Sequence, residues 1–462
     1  MPIATVNPAT GQTLETFAPL SLDEVERRLA LAERTYASWR TTGFPERARL
    51  LHRAADLLDE RQEDIARTMT LEMGKPIGAA RAEAAKCAKA MRWYADRSHT
   101  LLADERPAPE DVTDSGGTGA YVRYRPLGPV LAVMPWNFPF WQVVRFAAPA
   151  LMAGNVGLLK HASNVPRTAL ALEELFLAAG YPEGCFQTLL IGSAGVEGVI
   201  RDRRVAAVTL TGSEGAGRAV AAVAGDEVKK TVLELGGSDP FLVMPSADLP
   251  AAVAKAVTAR VQNNGQSCIA AKRFIVHAEV YAAFLAAFTD RMRELVVGDP
   301  MEEATEVGPL ATSQGRADLE ELVADAVAQG AVVECGGERP EGPTGWYYLP
   351  TVLSGVTPGM RIHHEEAFGP VATVYRAESL AEAVAIANDS PYGLSSNVWT
   401  TDPAEQAECV RDLQAGGVFF NGMTASHPAF PFGGIKRSGY GRELSGHGIR
   451  EFCNITTVWN GR

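Results

Sequence analysis

The sequence has few of the residues that cross-link small secreted proteins or hold structural metals. Its 462 residues include only six cysteines, which are spread singly, with no C-x-x-C pair and no Cys/His cluster at zinc spacing. This spacing indicates neither a disulfide framework nor a metal site, and it favours a reducing, cytoplasmic compartment. We therefore expect a protein that binds no metal.

Long apolar runs and an excess of basic residues are also missing. No stretch approaches the ~20 apolar residues of a membrane helix, and the N-terminus has no basic segment followed by an apolar core. The 43 basic and 55 acidic residues give a net charge of −12, which argues against nucleic acid or an anionic membrane as partner. A hydrophobic fraction of 46% in a chain of this length predicts two or three packed domains.

Helical patterns dominate the first hundred residues. One pattern begins at Ser21 with Glu24 as a capping box, a second covers 46–73 and stops at Gly74, and a third covers 79–102. Residues 108–118 are rich in Pro, Gly, Asp and Thr, and they predict a loop that leads into an exposed strand at 121–125.

Two regions of alternating strands and helices follow, which predicts an α/β fold with a Rossmann-type parallel sheet and a second α/β domain. The strands of the first region are predicted at 130–134, 156–160, 186–191, 205–211 and 231–235. The second region has helices predicted near 249–262, 280–293 and 313–328, with strands near 274–276 and 371–375. The end of the chain, 454–459, has strand propensity, and such a strand gains stability by adding to another sheet.

A nucleotide site is suggested where the strand at 205–211 enters a helix. Gly212 makes the turn and Ser213 caps the helix, whose free backbone N–H groups could bind a phosphate. The spacing differs from G-x-G-x-x-G, so an ordinary strand-to-helix turn explains it equally well. Lys160 ends an apolar strand, where the alternative is a solvated lysine, and Ser163 carries no charge that would repel a 2′-phosphate. These two residues favour NADP over NAD.

Three side chains together indicate carbonyl chemistry. The thiol of Cys268 could attack an aldehyde, the amide of Asn137 and the backbone N–H of Cys268 could stabilise the oxyanion, and Glu234 could activate water against the resulting thioester. Each residue alone also has a structural interpretation: a buried apolar cysteine, a carboxylate bonded to backbone N–H groups, and a turn residue before Pro139.

Five motifs, in order and spacing, resemble those of the NAD(P)-dependent aldehyde dehydrogenase superfamily. They are Trp136-Asn137-Phe138-Pro139, Leu233-Glu234-Leu235-Gly236-Gly237, Gly265-Gln266-Ser267-Cys268, Glu365-Glu366-Ala367-Phe368-Gly369-Pro370 and Pro431-Phe432-Gly433-Gly434-Ile435-Lys436. The resemblance implies that Cys268 is the nucleophile, Glu234 the base and Asn137 the oxyanion donor. It also implies the cofactor contacts Trp136, Lys160, Ser163, Gly212, Ser213, Glu366 and Phe368.

The resemblance further implies three structural parts and an oligomer, a homodimer or homotetramer. The expected parts are a cofactor-binding domain (1–107 and 127–236), a catalytic domain (237–440) and a β oligomerisation arm (108–126 and 441–462).

Within the superfamily, Lys160-His161-Ala162-Ser163-Asn164-Val165-Pro166 and Gly236-Gly237-Ser238-Asp239-Pro240 are most similar to the bacterial succinate-semialdehyde dehydrogenases. That branch needs a group for the distal carboxylate of its substrate. Arg145 is the expected cation, because it lies eight residues after Asn137, on nearly the same helix face. Ser267 and Ser426 are further expected contacts. The alternatives are a broad-specificity enzyme for neutral aldehydes and a non-catalytic relative that only binds.

Overall fold

The N-terminal part of the chain is a β-hairpin followed by a layer of helices. The computed structural model describes residues 2–342 and 344–461. The elements of this part are β1 (Ile3–Asn7), β2 (Gln12–Phe17), α1 (Leu22–Trp39), α2 (Phe44–Glu60), α3 (Gln62–Met73), α4 (Ile77–Leu101) and α5 (Pro109–Asp114). The sequence patterns predict neither the hairpin nor α5, and the single helix predicted over 46–73 is wrong, because the backbone at Arg61 (φ −104°, ψ 14°) divides it into α2 and α3.

The predicted start of α1 and the predicted stop of α3 are confirmed. The Ser21 hydroxyl accepts a hydrogen bond from the backbone N–H of Glu24 (3.3 Å), and the Glu24 carboxylate accepts one from the backbone N–H of Ser21 (2.7 Å). Gly74 ends α3 in the left-handed conformation (φ 77°). A Cβ there would lie 2.8 Å from the carbonyl oxygen of Pro309, so glycine is required for both backbone shape and space.

The first large sheet has the predicted parallel strands. Its region contains β3 (Gly119–Pro126), β4 (Pro129–Met134), α6 (Trp141–Ala153), β5 (Val156–His161), α7 (Pro166–Ala178), β6 (Phe186–Thr188), α8 (Val196–Arg201), β7 (Ala207–Thr211), α9 (Glu214–Asp226) and β8 (Lys230–Glu234). Strands β8, β7, β4, β5 and β6 lie side by side in that order, all parallel. Their carboxyl ends therefore meet at one edge, where ligands bind in such sheets.

The second large sheet lies in the region of the chain that follows β8. This region contains β9 (Asp239–Val243), α10 (Leu249–Val261), β10 (Ala271–His277), α11 (Ala278–Arg293), α12 (Ser313–Ala328), β11 (Val332–Cys335), β12 (Thr351–Ser354), α13 (Arg361–His364), β13 (Val371–Ala377), α14 (Leu380–Asn388), β14 (Tyr392–Gly393), β15 (Ser396–Trp399), α15 (Pro403–Asp412), β16 (Val418–Phe420), β17 (Ile435–Lys436), β18 (Gly439–Tyr440), α16 (Ser445–Glu451) and β19 (Cys453–Asn460). The strand order is β11, β12, β13, β10, β9, β15, β16, and only β11 is antiparallel to its neighbour.

Two strand pairings tie the C-terminal segment to earlier parts of the chain. Strand β18 adds antiparallel to the edge of the first sheet, with Gly439 opposite Glu234. Strand β19 pairs antiparallel with β3 over their whole length, from Cys453 opposite Pro126 to Asn460 opposite Gly119. The expectation that the C-terminal strand needs a partner is thus confirmed. Among the described residues, no helix combines the length and apolar character needed to span a membrane.

Candidate active site

The loop that carries Cys268 has an unusual backbone. A short 3-10 turn, Gln262–Gly265, precedes it, and Asn263 and Asn264 both have left-handed φ values (55° and 58°). Gly265 is also left-handed (φ 73°), and a Cβ there would lie 2.3 Å from the carbonyl group of Gly369. The backbone of this loop therefore packs directly against the Gly369 segment, which fixes where the following thiol is presented.

The Cys268 side chain is half-buried, and its surroundings favour the thiol over the thiolate. Burial raises the pKa of Cys268 to about 12, while the cations of Lys272 and Arg145 act in the opposite direction. The charge of Glu234 raises the pKa of Cys268 further, so these two groups are electrostatic neighbours. Since the thiolate is the nucleophile, reaction requires a base or a change in the surroundings of the sulfur.

Glu234 is buried at the end of β8. Neither of its carboxylate oxygens has a hydrogen-bond partner within the described residues. Burial raises the pKa of Glu234 well above its ordinary value, and the charge of Glu443 adds to this effect against the opposing cations Arg145 and Arg442. A carboxylate with a raised pKa is a stronger base, so Glu234 is suited to take a proton from water or from a thiol.

The side chain of Asn137 is oriented by hydrogen bonds on both ends of its amide. Its Nδ2 donates to the backbone carbonyl of Gln266 (3.0 Å), and its Oδ1 accepts from Nε2 of Gln142 (3.0 Å). The backbone carbonyl of Asn137 accepts from Nδ2 of Asn263 (2.7 Å). One N–H of the amide therefore has no partner within the described residues, next to the segment that leads into Cys268.

The structure thus places the three predicted catalytic side chains in one region. Asn137 is bonded to Gln266, two residues before Cys268, and a Cβ on Gly237, three residues after Glu234, would lie 2.5 Å from the backbone oxygen of Cys268. The joint action of a thiol, a carboxylate and an amide donor on one carbonyl group therefore stays a prediction, and this proximity is consistent with it.

A cavity of about 1120 Å³ opens at the carboxyl edge of the first sheet. Six of the seven predicted cofactor contacts line it: Trp136, Lys160, Ser163, Ser213, Glu366 and Phe368. Gly212 is not part of the lining and instead makes the turn before Ser213, whose hydroxyl caps α9 by accepting from the backbone N–H of Ala216 (3.3 Å). The rings of Trp136 and Phe368 meet edge to face at 5.7 Å between centroids.

The chemistry of this cavity fits a dinucleotide. Lys160 is the next-to-last residue of β5, is only 9% exposed, and makes no ion pair in the part of the chain that the structure describes. Burial lowers the pKa of Lys160, which is the behaviour of an ammonium that lacks an anionic partner. Together with the N-terminus of α9, this ammonium provides positive potential for ribose hydroxyls and phosphates. His161 lies beneath this wall, buried, with Nε2 donating to the carbonyl of Pro139 (2.9 Å).

Arg145 is placed differently from Lys160. It is buried on α6 and forms an ion pair with the buried carboxylate of Glu443. Its guanidinium also donates to the hydroxyl of Thr211 (3.3 Å) and lies 4.6 Å from the centre of the Phe432 ring. The charge of Arg145 is therefore already compensated by a protein carboxylate.

The two predicted substrate serines have contrasting surroundings. Ser267 is fully buried, and its hydroxyl has no partner among the described residues. Ser426 lines a second cavity of about 300 Å³, together with Phe432 and Gly433. A Cβ on Gly433 would lie 2.7 Å from Oε1 of Glu234, so this cavity adjoins the predicted base.

Lys272 is a functional candidate that the sequence analysis misses. It lies on β10, is buried, and donates from Nζ to the backbone carbonyls of Ser267 and Cys268 (2.8 Å each). It also forms an ion pair with Glu366 at 3.0 Å. Lys272 therefore joins the thiol loop to a wall of the large cavity. The sequence feature that indicates Lys272 as a candidate is a lysine inside an apolar strand, four residues after Cys268.

The chain is similar to known proteins over nearly its whole length. Residues 1–458 match the model of the aldehyde dehydrogenase family. A Mycobacterium tuberculosis protein named succinate-semialdehyde dehydrogenase (NADP(+)) 1 is 61% identical over 459 residues, which are 99% of this chain and 100% of the relative. A Mycobacterium leprae protein named succinate-semialdehyde dehydrogenase (NADP(+)) is 60% identical over 459 residues, with the same coverage.

The fold also has a counterpart among solved structures. The structure of succinic semialdehyde dehydrogenase from Streptococcus pyogenes, in complex with NADP+, matches with a TM-score of 0.96 and 37% sequence identity, covering 99% of this chain and 100% of that one. The expected α/β aldehyde dehydrogenase architecture is confirmed. On the full-length family match, the high identity and the shared fold, this chain is a member of the aldehyde dehydrogenase family.

Proposed function

We propose that the protein oxidises succinate semialdehyde to succinate with NADP+ as oxidant. The observation that carries the proposal is the 60–61% identity, over nearly the whole length, to mycobacterial relatives named for that substrate and that cofactor. The grouping of Cys268, Glu234 and Asn137 at one site supports the oxidative chemistry.

The proposed reaction begins when the Cys268 thiol gives its proton to water and the sulfur attacks the aldehyde carbon, so that the carbonyl π bond opens and the thiohemiacetal forms as its oxyanion. The free N–H of Asn137 and the backbone N–H of Cys268 stabilise the oxyanion, because donors fixed in advance favour the transition state. NADP+ held by Lys160, Ser163 and Glu366 would accept the hydride that the thiohemiacetal carbon loses, so that a thioester would remain on Cys268. Glu234 then removes a proton from water, the hydroxide oxygen adds to the thioester carbon, and the carbon–sulfur bond breaks to release the acid.

The cofactor preference is proposed from the wall of the large cavity. Trp136, Lys160, Ser163, Ser213, Glu366 and Phe368 would hold the dinucleotide, with Gly212 shaping the turn before Ser213. Ser163 leaves room and no negative charge for a 2′-phosphate, and Lys160 adds an uncompensated cation. NADP is therefore preferred to NAD in the proposal.

The domain division and the assembly form part of the same proposal. Cofactor binding is assigned to 1–107 and 127–236, catalysis to 237–440, and oligomerisation to 108–126 and 441–462. Strand β19 supports this arm, because Ile455 is 63% exposed and Trp459 is 48% exposed on a strand that pairs only with β3 within the described residues. Such apolar exposure suits a contact between copies in a homodimer or homotetramer. Sedimentation of the purified protein tests the assembly.

The experiment that tests the activity is steady-state kinetics on succinate semialdehyde and butanal, each with NADP+ and NAD+. We expect kcat/KM to be highest for succinate semialdehyde with NADP+. Equal values for the two aldehydes would support the alternative of a broad-specificity enzyme, and absence of reduced cofactor with every substrate would support a binding protein without activity.

A further inference from the structure

The backbone carbonyls of the thiol loop, residues 265–268, are held by side chains. Each of these four consecutive carbonyls accepts a hydrogen bond from a side-chain nitrogen. The donors are Arg260 to Gly265 (2.7 Å), Asn137 and Asn263 to Gln266 (3.0 Å each), and Lys272 to Ser267 and Cys268 (2.8 Å each). The backbone direction of the loop therefore depends on these donors, and Lys272 holds the two carbonyls nearest the thiol.

Strand packing does not explain why Lys272 is a lysine. Its side chain is only 2% exposed, and taking an ammonium out of water is costly, whereas an apolar side chain of the same length would carry no such cost. The three N–H bonds of its ammonium face three acceptors, namely the carbonyls of Ser267 and Cys268 and the carboxylate of Glu366 at 3.0 Å. The contacts of Lys272 thus point to a role in the active site.

The contact with the Ser267 carbonyl also sets the direction of the Cys268 N–H. The two groups belong to one planar peptide unit, and no peptide bond among the described residues is cis. In a trans peptide the C=O and the N–H point in opposite directions, so an oxygen held on Lys272 aims the N–H away from the ammonium. The N–H of Cys268 makes no hydrogen bond within the described residues, which leaves it available to an oxyanion.

The peptide on the other side of the thiol is held by the same ammonium. The Cys268 carbonyl accepts from Lys272 and lies so close to Gly237 that a Cβ there would be 2.5 Å from its oxygen. The Ser267 carbonyl accepts, in addition, from the backbone N–H of Ala270 (3.1 Å), which closes a turn. Because two successive carbonyls converge on one nitrogen, Lys272 restrains both peptides that flank Cys268.

We propose that Lys272 is a positioning residue that directs the backbone N–H of Cys268 towards the oxyanion of the thiohemiacetal. It acts through the peptide between Ser267 and Cys268. This inference rests on the proposed function, since it names the residue that orients a donor in the proposed reaction. It is separate from the effect that the charge of Lys272 has on the ionisation of the thiol.

The test compares two reactions of the same sulfur. Addition to an aldehyde opens the carbonyl π bond and forms an oxyanion, whereas alkylation by iodoacetamide forms a carbon–sulfur bond as iodide leaves and forms no oxyanion. A substitution that only weakens the nucleophile or disturbs the site slows both reactions by similar factors. A substitution that misaligns the N–H slows the aldehyde reaction more.

The aldehyde reaction is measured as the rate constant of a single turnover, with enzyme and NADP+ in excess over succinate semialdehyde, from the absorbance of reduced cofactor. Alkylation is measured at the same pH with NADP+ present. It reports on Cys268, because the other five cysteines are buried, and Cys268→Ala provides the blank. The matched control is Lys436→Met, because Lys436 also donates to two backbone carbonyls, those of Asn388 (3.0 Å) and Ser390 (3.2 Å), which lie outside the thiol loop.

We expect Lys272→Met to lower the ratio of the aldehyde rate constant to the alkylation rate constant about 10- to 100-fold. Complete loss of an oxyanion donor costs about 10²- to 10³-fold, and here the donor is misaligned but still present. Lys436→Met should keep the wild-type ratio. Lys272→Ser should change the ratio in the same direction, and it carries the test if Lys272→Met does not fold, because water can fill the polar space that serine leaves.

The outcomes separate this inference from the proposed function. A folded Lys272 variant that keeps the wild-type ratio overturns the inference, as does an equal fall of the ratio in Lys436→Met. If the wild type reduces no cofactor with succinate semialdehyde but does so with butanal, the proposed substrate is wrong, and the same ratio measured with butanal still tests Lys272. A wild type that reduces no cofactor with either aldehyde overturns both.

Discussion

Replacing Glu234 with glutamine removes its proposed function as a base and keeps the shape of the side chain. Glutamine has nearly the same shape as glutamate, and neither carboxylate oxygen has a hydrogen-bond partner within the described residues, so the substitution breaks no protein hydrogen bond. It also removes a negative charge from the neighbourhood of Glu443. We therefore expect Glu234→Gln to fold normally and to lose only the ability to take a proton.

The expected loss follows from the chemistry of general bases. A positioned base contributes about 10²- to 10⁴-fold to a rate, which corresponds to roughly 2.7–5.5 kcal/mol of barrier. If Glu234 activates water against the thioester, acylation of Cys268 still proceeds in the variant. The first turnover should then release reduced cofactor as a burst equal to the number of active sites, followed by a steady state slowed by the factor above.

The assay is stopped-flow absorbance of the reduced cofactor under excess substrate, repeated across pH. Because burial raises the pKa of Glu234, the wild-type kcat should rise as pH rises through that pKa, where the carboxylate becomes ionised. The slow steady state of Glu234→Gln should lack this rise. If the steady-state rate of Glu234→Gln falls by less than about tenfold, Glu234 is not the base. If the variant folds but shows no burst, Glu234 acts in a step that precedes formation of the thioester, and not in its hydrolysis.

Three other substitutions test the remaining parts of the site. Asn137→Ala should lower kcat/KM about 10²- to 10³-fold, the usual cost of one oxyanion donor, and steady-state kinetics on any accepted aldehyde would measure it. Arg145→Met leaves the carboxylate of Glu443 buried without a partner and should cost about 3–5 kcal/mol of stability. A lower thermal midpoint that recovers in Arg145→Met/Glu443→Met would show this, whereas equal midpoints for the single and double variants would contradict it. Lys272→Met removes a cation that lowers the pKa of Cys268, so alkylation by iodoacetamide at fixed pH should slow, and an unchanged rate would exclude this influence.

Local sequence patterns were sufficient to predict those elements whose structure depends on residues close together in the sequence. The capping box of Ser21 and Glu24, the stop at Gly74 and the five parallel strands from β4 to β8 all follow from residues that are neighbours in sequence. The hairpin β1–β2 was missed because its second strand is almost entirely exposed and lacks the alternation that marks a half-buried strand. The break at Arg61 was missed because helical periodicity continues on both sides of it.

In the candidate site, too, the sequence predicts some features and the folded structure decides others. Residue type, order and spacing predict Cys268, Glu234 and Asn137 as the catalytic residues, and the structure brings the three into one region. Whether the positive charge of each of these side chains is neutralised could not be inferred in this way, because it depends on which carboxylate packs against that side chain in the folded protein. Arg145 forms an ion pair with Glu443 and Lys272 forms one with Glu366, whereas Lys86 contacts Ser426 and Trp141 and has no carboxylate partner within the described residues.

The sequence by itself determined the α/β class and the family, and it predicted which groups react, because periodicity and motif order are properties of the linear chain. The tertiary structure alone decided which of these groups are buried, which charges are neutralised and which remain free for a ligand. Those properties depend on contacts between residues far apart in the chain, such as Lys86 with Ser426, and burial and Coulomb interactions act through space.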